Sequence, residues 1–181
     1  MFVGHFALGL AAKRVAPGVS LGTWFLAVQL VDLVWPFLLL AGLEHVRIAP
    51  GTTTFTPLDF YDYPITHRLV GGVVWAGLLA VFSRGFYRDP RALALIAAGV
   101  LSHWVLDAIV HRPDLPLLPS GPFIGLGLWN SVAATLALEL AMLAGGIYLY
   151  TRTVRPRVSF WILIAALLMR VLRRGIRAAA A

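Results

Sequence analysis

Long apolar runs alternate with short polar or proline-bearing breaks along the chain, and the run lengths set the first expectations. Phe2 to Ala12 is apolar, but at ~1.5 Å rise per residue it is too short to cross a hydrocarbon layer of about 30 Å. Leu21 to Leu43, Ile65 to Phe82, Arg91 to His111 and Gly127 to Tyr150 are predicted as spans, with Pro36 kinking the first. Between the first two, Glu44 to Pro64 carries Pro50-Gly51, three successive threonines and the aromatic Phe60, Tyr61 and Tyr63, which reads as an ordered loop at the membrane interface. Pro113, Pro116, Pro119 and Pro122 stop the third helix. The last segment is apolar from Ser159 to Met169, after which Arg170, Arg173, Arg174 and Arg177 fall on one helix face that spans poorly or lies on an anionic surface. The expected fold is all-α: an integral membrane helical bundle with four main spans, a short N-terminal helix and a basic C-terminal helix. Residues 1–157 form the membrane-embedded domain carrying the polar site, and residues 158–181 the C-terminal helix.

Composition agrees with this reading. Of 181 residues 60% are hydrophobic and 13% charged, far from the balance of a soluble domain. The 15 Lys and Arg against 8 Asp and Glu stand at the ends of apolar runs rather than in a patch with interleaved aromatics, so nucleic acid is not the expected partner. Lys13, Arg14, Arg84, Arg88, Arg91, Arg152, Arg155 and Arg157 share one side, against Arg47, Arg68 and Arg112 on the other, which makes the first side cytoplasmic. The expected location is a bacterial or archaeal cytoplasmic membrane, with membrane lipids as neighbours. Without cysteine, disulfides and Cys-ligated metals are excluded. The first residues lack a basic stretch ahead of the apolar one, the wrong order for a signal peptide.

Polar residues inside the apolar runs carry the candidate chemistry. His103, Asp107 and His111 recur every four residues, which at ~100° per residue keeps them within about 80° on one helix face. Charges in a membrane helix cost roughly 2.5 to 3.5 kcal/mol each on insertion scales, and groups retained at that cost mark functional sites. His5, Asp32, Asp59, Asp62 and His67 join them in the same half of the membrane. Imidazoles and carboxylates without thiolates suit zinc first, with manganese or iron as alternatives, in a site that activates water.

Simpler roles exist for several of these groups. His5 stands near a chain end, Asp32 has Gln29 on its face, Asp59 can cap a turn, and Glu44 and His45 are expected to be solvated at the end of the first span. Arg68 either binds an anionic substrate group or snorkels. Glu139 lies near the middle of its span.

The ordered set His5, Asp32, Pro64-Ile65-Thr66-His67 and His103-x-x-x-Asp107 resembles the small membrane-bound metal-dependent hydrolases also called inner-membrane-associated hydrolases. The resemblance reaches to about Asn130 and implies His5, Asp32, His67, His103 and Asp107 as metal ligands or near neighbours. Asp62 replaces a histidine of that pattern, Arg68 a serine, and one acid stands where two are usual. Along a helix, His103 and His111 lie ~12 Å apart and cannot share an ion, so His111, Asp62 and Arg68 are expected nearer the mouth as acid/base or substrate-contacting groups. The expected activity is hydrolysis of an ester or phosphoester in a lipid or lipid-linked substrate by metal-activated water. The alternatives are a proton- or metal-ion-coupled carrier using His103, Asp107 and Glu139, another non-enzymatic membrane protein, and a b-type haem protein.

Overall fold

Each long helix starts where the chain supplies a cap. In the computed structural model, which describes residues 1–118 and 121–180, Ser20 opens α2 (Leu21–Leu40) by accepting from the Thr23 amide at 3.0 Å. Asp89 caps α4 (Pro90–Val110) with Pro90 in its first turn, and Ser131 caps α5 (Val132–Thr151) through the Ala134 amide. The short α1 (Val3–Ala12), α3 (Leu69–Ser83) and α6 (Val158–Ala179) complete six helices among the described residues. Of the proline breaks, Pro119 lies outside the described residues, as do Ser120 and the terminal Ala181.

The helices α2, α4 and α5 are long and apolar enough to cross a membrane. The expected second span differs, because α3 has only 15 residues and begins at Leu69 rather than Ile65. The reason is local: residues 64–68 are drawn into a turn by Glu44, which accepts from the Ile65 and Thr66 amides at 2.6 and 2.8 Å. Glu44 is therefore buried, not solvated. The interfacial loop also carries more order than expected, since β1 (His45–Ile48) and β2 (Leu58–Asp62) pair as an antiparallel hairpin. A second small pair, β3 (Leu115–Pro116) with β4 (Phe123–Ile124), follows α4.

Helix α1 packs on α5 and α2, α4 on α3 and α2, and α6 on α5. Close approach of α1 to α5 depends on Gly146, where any Cβ would collide with the Ala7 backbone. One core cluster runs from Val19 and Trp24 to Ile96 and Val100, whereas the core at the other end is rich in aromatics, with Phe55, Phe60, Tyr63 and Trp129. Leu33, Phe37 and Leu40 on α2 and Val70, Val74, Leu78 and Val81 on α3 face outward. In water such stripes would drive association; against lipid tails they cost nothing.

The hairpin is tied to the chain after α4 through Asp59. Its Oδ2 accepts from Arg47 Nε at 3.0 Å, and its Oδ1 from Arg112, so it bridges two elements rather than capping a turn. The Arg47 guanidinium holds the Asp59 carboxyl below its usual range, with Arg112 adding to the effect. A carboxylate with a depressed folded value stabilises above its unfolded pKa of about 4 and loses that contribution as pH falls through the folded value. Asp59→Asn is expected to lower the Tm in detergent at pH 7, with the gap from wild type closing below about pH 4. A gap of equal size at every pH would contradict this tie.

Candidate metal centre

His103 and Asp107, one turn apart on α4, are both buried, with Nε2 and Oδ2 3.1 Å apart. Asp32 comes to them from α2, its Oδ1 3.5 Å from His103 Nε2. His67 comes from the turn before α3, with Nε2 3.3 Å from Asp32 Oδ1 and 3.7 Å from Asp107 Oδ2. Each of the four donors thus has two of the others within 3.1 to 3.7 Å. Ligands at ~2.0 to 2.2 Å from one cation are separated by roughly 3 to 3.6 Å, so the spacing fits the edges of one coordination shell. Asp32, His67 and His103 form one group that could hold a metal ion; His5, His103 and Asp107 form an overlapping one.

Two details separate His5 from the other imidazoles. Its ring lies parallel to that of His103, 3.7 Å between centroids and 1° between planes, so the two Nε2 lone-pair directions run side by side instead of converging. Its Nε2 also lies 3.2 Å from Asp107 Oδ1, the oxygen turned away from His67 and His103. His5 therefore steadies the carboxylate from behind. The amino group of Met1 meets the same oxygen.

Outer partners fix which nitrogen of each ring faces the centre. His103 Nδ1 donates to the Val28 carbonyl at 2.8 Å, and because a carbonyl only accepts, the Nδ1 proton is assigned. Its buried Nε2 has no hydrogen bond despite two carboxylates nearby, which is what a nitrogen lone pair aimed at a cation leaves behind. His67 Nδ1 lies 2.7 Å from Thr66 Oγ1, whose hydroxyl donates to Glu44 Oε2 at 2.7 Å. Thr66 must then accept from His67, again leaving Nε2 for the centre. Such relays set tautomer and ring direction in metal sites. Sequence reasoning missed Glu44 in this role; the only signal was an acid followed at a distance by Thr66-His67. Asp32 stands four residues before Pro36, whose missing N–H leaves the Asp32 carbonyl without its helical donor.

A cavity of about 680 Å³ opens onto the centre, lined by Asp32, His67, Asp107 and His111 on its polar side. His111 stands at its rim between Trp129 and Phe60, with ring centroids 4.5 and 4.9 Å away. Its Nδ1 is 3.0 Å from Asp114 Oδ1, a partner the sequence did not single out. Asp114 also takes Arg112 Nε at 3.0 Å, and Tyr63 donates to its carbonyl at 2.9 Å. Burial, reinforced by the Asp114 charge, pushes the Tyr63 phenol up, so it remains a donor.

The other two mouth residues are not brought here. Asp62 pairs with His45 at 2.8 Å across the hairpin, both about half exposed, and the strand register that opposes them keeps Asp62 off the cavity wall. Arg68 takes the N-cap position of α3 and is not on that wall either. Glu139 is fully buried but belongs to the scaffold, accepting from the Phe2 and Val3 amides at 2.9 and 2.8 Å.

Comparison with family models, with curated proteins and with solved structures finds no match to this chain.

Purified protein loaded with Zn²⁺ is expected to retain about one ion per chain by elemental analysis, and His103→Ala clearly less. Thr66→Val, which removes the relay but no ligand, should weaken zinc affinity about 10- to 100-fold. Retention by His103→Ala equal to wild type would show that the metal binds elsewhere.

Proposed function

We propose that this protein is a membrane-embedded metal-dependent hydrolase that cleaves an ester or phosphoester bond in a lipid or lipid-linked substrate. The observation that carries the reading is that Asp32, His67 and Asp107, from the two overlapping donor groups, share one cavity with His111, whose ring is paired to Asp114, among apolar and aromatic side chains. The resemblance to membrane-bound metal-dependent hydrolases points the same way.

Asp32, His67, His103 and Asp107 would hold a divalent cation, which when bound would supply Lewis-acid polarisation of the scissile group and a more acidic water. The chain supplies the rest. His111, with Nδ1–H donated to Asp114, offers Nε2 to take the proton of the attacking water and return it to the departing oxygen. Asp114 holds the ring in that tautomer, as a carboxylate does for a general-base histidine elsewhere. Trp35, Phe60 and Trp129 keep bulk water from the cavity walls and give an acyl or prenyl chain an apolar bed. By the count of basic residues the cavity faces the extracytoplasmic side, and the short α3 completes a fourth, thin span.

A carrier would need polar groups continuing through the bundle. The buried Lys13 is engaged by the Pro17 and Val19 carbonyls and Glu139 by two amides, so a relay lacks a free second half. A haem would need two histidines coaxial across a gap, whereas His5 and His103 are stacked and His67 is inclined 71° to His103.

Hydrolysis of lipid phosphoesters or esters in mixed micelles is expected to be lost on chelation and restored by Zn²⁺ or Mn²⁺. His111→Gln should lower kcat about 10²- to 10⁴-fold while metal content is unchanged. Chelator-insensitive turnover, or full activity in His111→Gln, would overturn the reading.

A further inference from the structure

Helix α6 buries Phe160, Ile164, Leu167 and Val171, an i, i+4, i+7, i+11 stripe that packs with Val3, Leu10 and Leu143. Gly175 continues the seam, since a Cβ there would press into Leu136. With that stripe fixed, Arg170 and Arg174, one turn apart, fall on the wall of the cavity that also holds Asp32, His67, Asp107 and His111. Arg170 is exposed at the cavity's edge and Arg174 half-buried, whereas Arg173 and Arg177 are exposed and are not on that wall. The expectation of a basic face lying on an anionic surface therefore covers only part of the arginines.

The two guanidinium groups are held by aromatic faces rather than by acids. Arg170 Cζ lies 4.7 Å from the Phe2 ring centre, and Arg174 Cζ 6.0 Å from Phe2 and 5.7 Å from Phe55. Among the described residues neither has a salt bridge to a carboxylate. Glu139, the acid whose charge Arg174 feels most, spends both oxygens on the Phe2 and Val3 amides. Two planar five-donor groups thus face a shared space with their donors uncommitted.

Charge balance narrows what enters that space. The Asp32 and Asp107 carboxylates would offset one divalent cation, and Arg170, Arg174 and the Met1 ammonium then leave the cavity wall with a positive surplus. A neutral carboxylic ester gains nothing from that surplus. A phosphate ester does, through bidentate contacts to guanidinium, while Phe6, Phe25, Leu26 and Leu33 on the same wall suit a hydrocarbon chain.

We infer that Arg170 and Arg174 form a phosphate clamp and that the substrate class is a lipid phosphate ester, its phosphate seated between α6 and the metal centre and its chain along α2. This deepens the hydrolase reading and rests on it for the word substrate, but the clamp is tested by binding alone.

The test measures binding to the detergent-solubilised full chain by titration calorimetry with three probes: 1-oleoyl-glycerol 3-phosphate, mono-oleoyl glycerol and glycerol 3-phosphate. The lipid phosphate is expected to bind at least about tenfold more tightly than either of the others, since one charge-assisted bidentate contact is worth about that factor. R170Q/R174Q should erase the advantage over mono-oleoyl glycerol, whereas R173Q/R177Q, with the same loss of charge, should keep it. If the double glutamine variant fails to fold, R170K/R174K keeps the charges but loses the planar forks, and is expected to weaken the lipid phosphate about tenfold. Equal binding of the neutral lipid overturns the clamp, as does an equal loss in R173Q/R177Q, and equal binding of glycerol 3-phosphate overturns the lipid as the source of the phosphate. Tight, Arg170- and Arg174-dependent binding without any turnover upholds the clamp and sinks the hydrolase. Chelator-sensitive turnover of neutral esters, unchanged in R170Q/R174Q, keeps the hydrolase and sinks the clamp.

Discussion

Buried carboxylates that must find partners in an apolar bundle govern this structure. Four acids, Asp107, Glu139, Glu44 and Asp59, are buried, and none can be left bare where each unpaired charge costs several kcal/mol. They are met in two ways. Asp59 answers to arginines and Asp107 to histidines, while Glu44 and Glu139 each accept from two consecutive backbone amides. The glutamates do so at the two places where a site histidine sits on a chain segment with no long helix to hold it. Glu139 moors the start of α1 and with it His5; Glu44 moors the turn before α3 and with it His67. Asp32, His103 and Asp107, borne within long helices, need no such mooring.

The consequence is a centre whose geometry is set before anything binds. Val28 and Thr66 fix two imidazole tautomers, Asp107 is held from one side by His5, and α2 and α4 set the spacing across the middle. Preorganisation of this kind matters most where charge develops, because groups already oriented need not reorganise during the reaction. The aromatic core around Phe60 and Trp129 extends the same rigidity to His111 at the rim. Helix α6 then closes one wall with two arginines, so the cavity has a floor of His and Asp donors, an apolar flank and a cationic edge.

Much of this was legible from periodicity. Four-residue recurrence put His103 and Asp107 together, run length found α2, α4 and α5, and depth put His67 and Asp32 in the same half of the membrane, where the family resemblance implied them as partners of that pair. What was not legible depends on long-range partners. Nothing near Glu44 in sequence says that it folds back 21 and 22 residues later onto two amides, so it read as solvated and α3 as four residues longer at its start. Asp62 and Arg68 were drawn to the mouth by proximity to His67, yet a strand pairing commits Asp62 to His45 and helix α3 opens at Arg68. The loop's hairpin escaped notice because its strands run only four and five residues and their register is broken between His45 and Arg47. The arginine stripe on α6 was visible, but which two of its members line the cavity depends on where Phe160, Ile164 and Leu167 pack.

X-ray absorption at the zinc edge of the loaded, purified chain tests the metal centre most directly. The expected spectrum has two imidazole nitrogens and carboxylate oxygens at about 2.0 to 2.2 Å, with the outer-ring scattering of two histidines, and it loses one of those two histidines in His67→Ala and in His103→Ala alike. An all-oxygen shell, or a histidine count that neither substitution changes, would contradict a centre built from Asp32, His67, His103 and Asp107.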